Sequence, residues 1–432
     1  MHSIITKKRL VNSGFIQVIT FAVSGILQLA VTLLIAQQYD SDTLGIIGIV
    51  AIINLFGFSL AEAGVFNYVI YKKNISKVDF STIQWTVLIL STLMSLLSTT
   101  IFIFEYPPVI CYSVVLSSLC FPILSLGVVQ YSKLICDYRF KDIFLIELFF
   151  RLSFIILVYL FELYNVFYYE IYGYMFSVIL SYLVRLILIK VRTNDYDFIS
   201  YGFYFRKSVF LSFLKFYTSQ IGSNAINAFG NKADEIMILH YLGLSSLGKY
   251  FIIKQLIMQV FSALYQIKRR LIMPLWSTGK ESMINKCIFL SLVLVSIMSL
   301  FVFSILHAFM FLDKFDSISH NSNVIIIVTS MVALRYMAGN LQCAYFQVVG
   351  KPYVELYWNM IQTLSIIVST FIFVFFMNVH ELEILILGIC FIYYLTGLVG
   401  FFYFKHHGLR LNLSLFVFLL SFQFFLIGLI DF

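Results

Sequence analysis

The chain has 432 residues, 61% hydrophobic and 12% charged, and its 47 phenylalanines outnumber its 21 acidic residues. So few charges cannot solvate the surface of a soluble domain of this length, and the same figures exclude a disordered chain, a coiled coil, a collagen and a disulfide scaffold. What remains is an all-α polytopic membrane protein. The formal charge of +8 suggests nucleic acid only until its placement is read.

Thirteen apolar segments are each long enough to cross about 30 Å of hydrocarbon at about 1.5 Å per residue. In chain order they run over 12–37, 44–70, 82–104, 109–131, 143–163, 168–189, 211–241, 247–267, 287–311, 322–346, 355–377, 383–404 and 412–430. The first follows Lys7, Lys8 and Arg9 and is too long for a cleavable signal core. With the N-terminus cytoplasmic, the inner stretches hold twenty-one of the 29 basic residues, from Lys7 through the Lys268-Arg269-Arg270 run to Lys405 and Arg410; the outer stretches hold Lys314 alone. Seven more lie within or beside spans. This is the positive-inside pattern, so the basic excess is topological and no nucleic acid is expected as a partner. The loops are too short for an extramembrane catalytic domain, and the six cysteines lie apart with no metal-type spacing. No metal or cofactor is expected.

A shift of 203 positions lays the first span on the seventh. Gln17 falls on Gln220, Thr20 on Ser223, Ser24 on Asn227, Gln28 on Asn231, and Leu44-Gly45 on Leu247-Gly248. Two spans of the same direction aligned in this way indicate a parallel repeat, a pattern common in transporters. The expected organisation is an N-terminal six-helix bundle over 1–189, a cytoplasmic linker over 190–210, a C-terminal six-helix bundle over 211–404 and an additional span over 405–432. The polar residues are themselves ordered. Ser13, Gln17, Thr20, Ser24 and Gln28 share one helical face, and Gln220, Asn224, Asn227, Asn231 and Asp234 repeat it. Such faces must meet protein or water. Interhelical hydrogen bonding explains any one stripe; four stripes, counting Gln255 to Gln266 and Glu355 to Ser369, favour a polar central cavity between the halves.

A charge at the bilayer centre costs roughly 2.5–3.5 kcal/mol on insertion scales and so calls for a reason. Arg151 and Arg335 lie near the middle of spans five and ten, one in each half. Lys232 and Lys254 lie in the outer parts of spans seven and eight. Cations lining a cavity suggest an anionic substrate, and the planar guanidinium fork suits phosphate. The substrate-binding candidates are therefore Arg335, Arg151, Lys232, Lys254, Gln17, Ser24, Gln220, Asn227 and Asn231. Glu62 and Asp234 are candidate carriers of a coupling proton, or else fixed partners of a lysine. Glu147, one turn from Arg151, is expected to pair with it. No HExxH, GxSxG or Walker-type motif is present.

Several stretches resemble Wzx-type polysaccharide flippases: LIAQQYDSDTLGIIGIVAIINLFGFSLAEAGV from Leu34 to Val65, VDFSTIQW from Val78 to Trp85, and DYRFKDIFLIEL from Asp137 to Leu148. The best match runs from Asn231 to Ser277, NKADEIMILHYLGLSSLGKYFIIKQL followed by RRLIMPLWS. That family belongs to the multidrug/oligosaccharidyl-lipid/polysaccharide exporter superfamily. The resemblance implies two six-helix bundles around a central cavity in a bacterial inner membrane. It also implies a lipid-linked oligosaccharide carried on undecaprenyl pyrophosphate, turned from the cytoplasmic to the periplasmic leaflet for O-antigen or capsule assembly. Membrane lipid, a polysaccharide polymerase and a chain-length regulator are the candidate partners. The family's usual twelve or fourteen spans differ from the thirteen counted here. A drug–cation antiporter of the same superfamily would want acidic cavity residues, and a membrane polysaccharide polymerase or ligase would want a large outer loop.

Overall fold

The computed structural model describes residues 7–62, 65, 68–69, 75–103, 106–137, 139–164, 166–167, 169–196, 202–267, 292–302, 304, 322–337, 352–377, 381–407, 416–417 and 419–423. Among them there are helices and no strands. This follows from the composition: in hydrocarbon a backbone must satisfy its own polar groups, and a helix does so within one segment.

The helices in chain order are α1 (Lys7–Gln38), α2 (Ser41–Glu62), α3 (Lys77–Ile103), α4 (Pro108–Ser118), α5 (Cys120–Cys136), α6 (Phe140–Leu163), α7 (Glu170–Arg192), α8 (Lys207–Ile267), α9 (Leu292–Val302), α10 (Ser322–Arg335), α11 (Pro352–Met377) and α12 (Leu382–His406). Each of the first twelve expected segments contains a described helix, and part of the thirteenth is helical at 416–417 and 419–423. Eight helices among the described residues are long and apolar enough to cross a membrane; three more apolar helices are shorter.

Local chemistry sets the boundaries. Asp40 Oδ1 accepts from the Thr43 amide at 3.0 Å and caps α2. Ser76 and Asp79 cap α3 reciprocally: Asp79 N donates to Ser76 Oγ at 3.2 Å and Ser76 N to Asp79 Oδ2 at 3.1 Å. α4 opens on Pro108, where the missing amide hydrogen costs nothing. Pro122 cannot donate to the carbonyl four residues back, and the helix is interrupted at Leu119, between α4 and α5. α8 is two helical arms meeting at Gly243, whose φ of 82° is the one positive φ among the described residues.

The chain packs as two compact units. Unit 1 is Met1–Gln28 with Ile49–Ala228; unit 2 is Leu29–Gly48 with Phe229–Phe432. In unit 1, α6 lies along α7, and α3 packs on α4 and α5. Its core includes Val65, Phe80, Val87, Val129, Phe213 and Tyr217. The VDFSTIQW stretch acquires a physical role here, because it holds the segment entering α8. Ser81 Oγ donates to Gly202 O at 2.7 Å and accepts from the Tyr204 amide at 2.8 Å, while Thr82 Oγ1 accepts from the Arg206 amide at 3.1 Å.

In unit 2, α12 packs against α10 and α11. The 29–48 segment packs against α8 around its kink. Ser245 Oγ bonds Ser41 Oγ at 2.8 Å, and Gln259 Nε2 donates to Thr32 Oγ1 at 2.6 Å. A Cβ on Gly45 would lie 2.2 Å from the Leu244 carbonyl oxygen, and one on Gly248 would lie 1.9 Å from the Ser41 carbonyl oxygen. Ser41 and Leu244, like Gly45 and Gly248, are 203 positions apart. The contact is therefore reciprocal, as repeat-related surfaces meeting face to face require.

Candidate functional site: a balanced charge cluster beside a surplus arginine

Both arms of α8 run away from Gly243, so residues at equal distance from it stand at equal depth. Asp234 and Lys254 are each roughly 14–16 Å from the kink along their arms. The hairpin thereby brings together groups that are twenty residues apart in sequence. Lys254 Nζ lies 2.7 and 2.8 Å from the two Asp234 oxygens and 3.0 Å from Glu235 Oε1. It also donates to the Asn231 carbonyl at 3.1 Å. Lys232 Nζ closes on Glu235 at 2.6 and 2.7 Å. Tyr250 OH donates to Asp234 Oδ2. Asp234, Glu235 and Lys254 are all buried. Two lysines thus balance two carboxylates, and every charge has a partner, as groups removed from water require.

Arg335 adds a further charge to this balance. It is the last residue of α10. Its Nη2 donates to Asn231 Oδ1 and its Nη1 approaches the Asn231 carbonyl at 3.5 Å. It stands over the Tyr393 ring of α12 with Cζ 5.8 Å from the centroid. Among the described residues no carboxylate comes within ion-pair distance of it. Unlike the buried Asp234–Lys254 pair, Asn231 is exposed and Arg335 half-buried, so the surplus cation stands at the open edge of the cluster. The buried Tyr393 hydroxyl beside it has no hydrogen-bond partner among the described residues.

Five of the sequence candidates, Asn231, Lys232, Asp234, Lys254 and Arg335, are gathered here. Ser24 is half-buried on α1 in unit 1. Arg151 lies on α6, also in unit 1. The side chains of Gln17, Glu62, Gln220 and Asn227 lie outside the described residues. Among the described residues no group of His, Cys, Asp and Glu is arranged to hold a metal ion. One expectation is corrected: the close ion pair of Glu147 is with Arg185, while Arg151 stays only within electrostatic reach of it. Glu147 Oε1 accepts from Arg185 Nη2 of α7 at 2.9 Å, because α7 lies along α6 and presents a closer cation than the next turn of α6 does.

Tyr250, Tyr393 and Arg185 were not singled out by sequence reasoning. Tyr250 had a signal, standing one helical turn before Lys254. Arg185 had none, since a basic residue near the inner end of a span reads as a flanking charge.

The comparisons with known proteins agree with this fold. A sequence model of the polysaccharide biosynthesis protein family matches residues 13–315. Amylovoran biosynthesis protein AmsL of Erwinia amylovora is 25% identical over 171 residues, which is 38% of this chain and 44% of that protein. The match thus spans less than half of either. The lipid II flippase MurJ, in an inward closed conformation, aligns over 95% of this chain and 91% of its own at a TM-score of 0.65 and 14% identity. A MATE family multidrug resistance transporter of the MOP superfamily, inward-facing, aligns over 90% and 94% at a TM-score of 0.64 and 13% identity. At such identities it is the fold that is shared.

Family and fold together make this an all-helical, multi-pass membrane protein. Within that class the chain belongs to the polysaccharide biosynthesis protein family. The helical fold implied by the resemblance read from its residues is the one it shares with MurJ and the MATE transporter.

Proposed function

We propose that the protein moves lipid-linked oligosaccharide, carried on undecaprenyl pyrophosphate, from the cytoplasmic to the periplasmic leaflet of a bacterial inner membrane. The observation that supports this reading is the surplus guanidinium of Arg335. Among the described residues its hydrogen bonds go only to the neutral side chain and carbonyl of Asn231, beside lysines already committed to Asp234 and Glu235. A pyrophosphate supplies the negative charge and the paired oxygens that such a fork takes. A surplus positive charge argues against a cationic drug as substrate. The headgroup with its sugars cannot cross hydrocarbon unaided.

The cycle is ion-coupled alternating access, with Asp234 and Glu62 as candidate coupling carboxylates and Arg151, Ser24, Gln17, Gln220 and Asn227 as further contacts along the path. The N-terminus is cytoplasmic by the positive-inside pattern. A polymerase and a chain-length regulator would act on the delivered units. The test is Arg335→Ala in cells that display the polysaccharide. Export is expected to be lost while the protein still inserts, and Arg335→Lys to restore part of it. Normal display from the Ala variant at native expression would reject the reading.

A further inference from the structure

Unit 1 holds a second charge cluster, of which the proposed cycle uses Arg151 alone and leaves Glu147 and Arg185 without a role. Glu147 and Arg151 are one turn apart on α6, yet the carboxylate turns to other helices. Its Oε1 accepts from Arg185 Nη2 of α7 and from the Tyr131 hydroxyl of α5, each at 2.9 Å. The Arg185 guanidinium lies over the Tyr131 ring at 4.8 Å and over the Phe150 ring at 5.5 Å. Arg151 also stands 5.5 Å from the Phe150 centroid, within electrostatic reach of Glu147 and of Tyr182 of α7. It forms no ion pair and no hydrogen bond among the described residues, and its Nε is shut from solvent without an acceptor. Two guanidiniums therefore surround one carboxylate, roughly 10–16 Å along α6 from its start. The cluster carries one positive charge more than it balances.

We infer that Glu147 is a resident counter-anion for Arg151 and Arg185 and that it changes places with a phosphate-bearing ligand. The ligand docks on both guanidiniums and takes Arg185 from Glu147, and Glu147 then binds one proton from water. When the ligand leaves, the proton leaves and the Glu147–Arg185 bond re-forms. This rests on the anion-translocation reading above and adds to it a second anion contact and a linked proton.

Three features support the exchange. A carboxylate oxygen serves Arg185 and leaves Arg151 without an acceptor, whereas a ligand with several phosphate oxygens can serve both forks. The side chains of Arg185 and Glu147 keep only 13% and 17% of their surface accessible, closed enough that water does little to screen the charges from one another. A carboxylate stripped of its cation in such a place is neutralised by protonation rather than left charged. By reciprocity, protonating Glu147 must strengthen anion binding by the same factor as the anion strengthens proton binding.

The test uses the full-length protein in detergent with inorganic pyrophosphate as the probe. Infrared difference spectra of the native protein should gain a protonated carboxyl band when pyrophosphate is added, and Glu147→Gln should show none. Calorimetric affinities of the two proteins should diverge as pH rises, by up to about tenfold per pH unit, the slope of one linked proton. Pyrophosphate's own titration is common to both proteins and cancels. Binding without the carboxyl band, equal pH slopes, or no binding to the native protein would each overturn the inference. The spectra need no variant, so a Glu147→Gln protein that fails to fold leaves the test intact. If Arg335→Ala abolishes export but the band is absent, the transport reading stands and the exchange alone is lost.

Discussion

Removing the Lys254 ammonium strands Asp234, a carboxylate with almost no contact with solvent, while Glu235 keeps Lys232. Breaking a buried pair on one side costs about 3–5 kcal/mol, whereas replacing both partners by neutral groups of similar size costs little. Lys254→Met should therefore lower the thermal midpoint of the solubilised protein more than Lys254→Met combined with Asp234→Asn does. A double variant less stable than the single one would show that the pair is not what holds this part of unit 2. A different behaviour is expected outside the membrane. Arg139 bonds both oxygens of Asp195 at 2.8 and 2.9 Å and holds that carboxyl below its usual range. A depressed carboxyl contributes stability that is present at neutral pH and lost only as pH falls through the lowered value. The contribution is small because Asp195 is largely exposed. The Tyr196 amide, bonded to the Thr193 carbonyl, should thus keep its exchange protection from about pH 7 to about pH 5, and Arg139→Gln should weaken it throughout. Asp234, Lys232 and Arg335 were legible in the sequence as charges with no business in hydrocarbon. Their division into a balanced group and one surplus cation was not, because Lys254 and Asp234 meet only through the turn at Gly243.

The turn of α8 and the end of the α1–α2 hairpin meet through two glycines because neither site leaves room for a side chain. Cysteines replacing Ser41 and Ser245, whose hydroxyls are 2.8 Å apart, should cross-link readily on oxidation once the native thiols are removed. Adding Gly248→Val should suppress the cross-link, since its Cβ would meet backbone rather than a side chain that can move aside. Equal cross-linking with and without the valine would contradict the close approach. Most helices were legible from apolar length alone, and the correspondence of Gly45 with Gly248 was legible from the 203-residue shift, though not that the two meet. The interruption at Leu119 was not, because the sequence reads as one unbroken apolar run in which Pro122 is the only mark. Nor was the composition of the units, in which residues 29–48 pack with the chain beyond Phe229. Hydropathy locates spans but says nothing of which spans touch.

For the whole molecule, the charge pattern makes a firm statement about sidedness. A periplasm-active reporter fused after Asp316 should be active and one fused after Arg192 silent, and equal activity at both would undo the thirteen-span topology. The fold class was open to sequence reasoning because composition excludes nearly every alternative. The substrate was approachable only through the sign of the surplus charge, since sugars are recognised by dispersed polar and aromatic groups with no code. The central claim is that this chain carries a diphosphate-linked sugar across the bilayer and that Arg335 engages the diphosphate. It is tested most directly with purified protein in liposomes loaded with undecaprenyl-pyrophosphate-linked oligosaccharide. The outer leaflet is first stripped of sugar with an added glycosidase, and fresh exposure of sugar is then followed over time. The native protein should replenish the outer leaflet and Arg335→Ala should not. Replenishment at the same rate in liposomes with the Ala variant, or none with the native protein, would contradict the account.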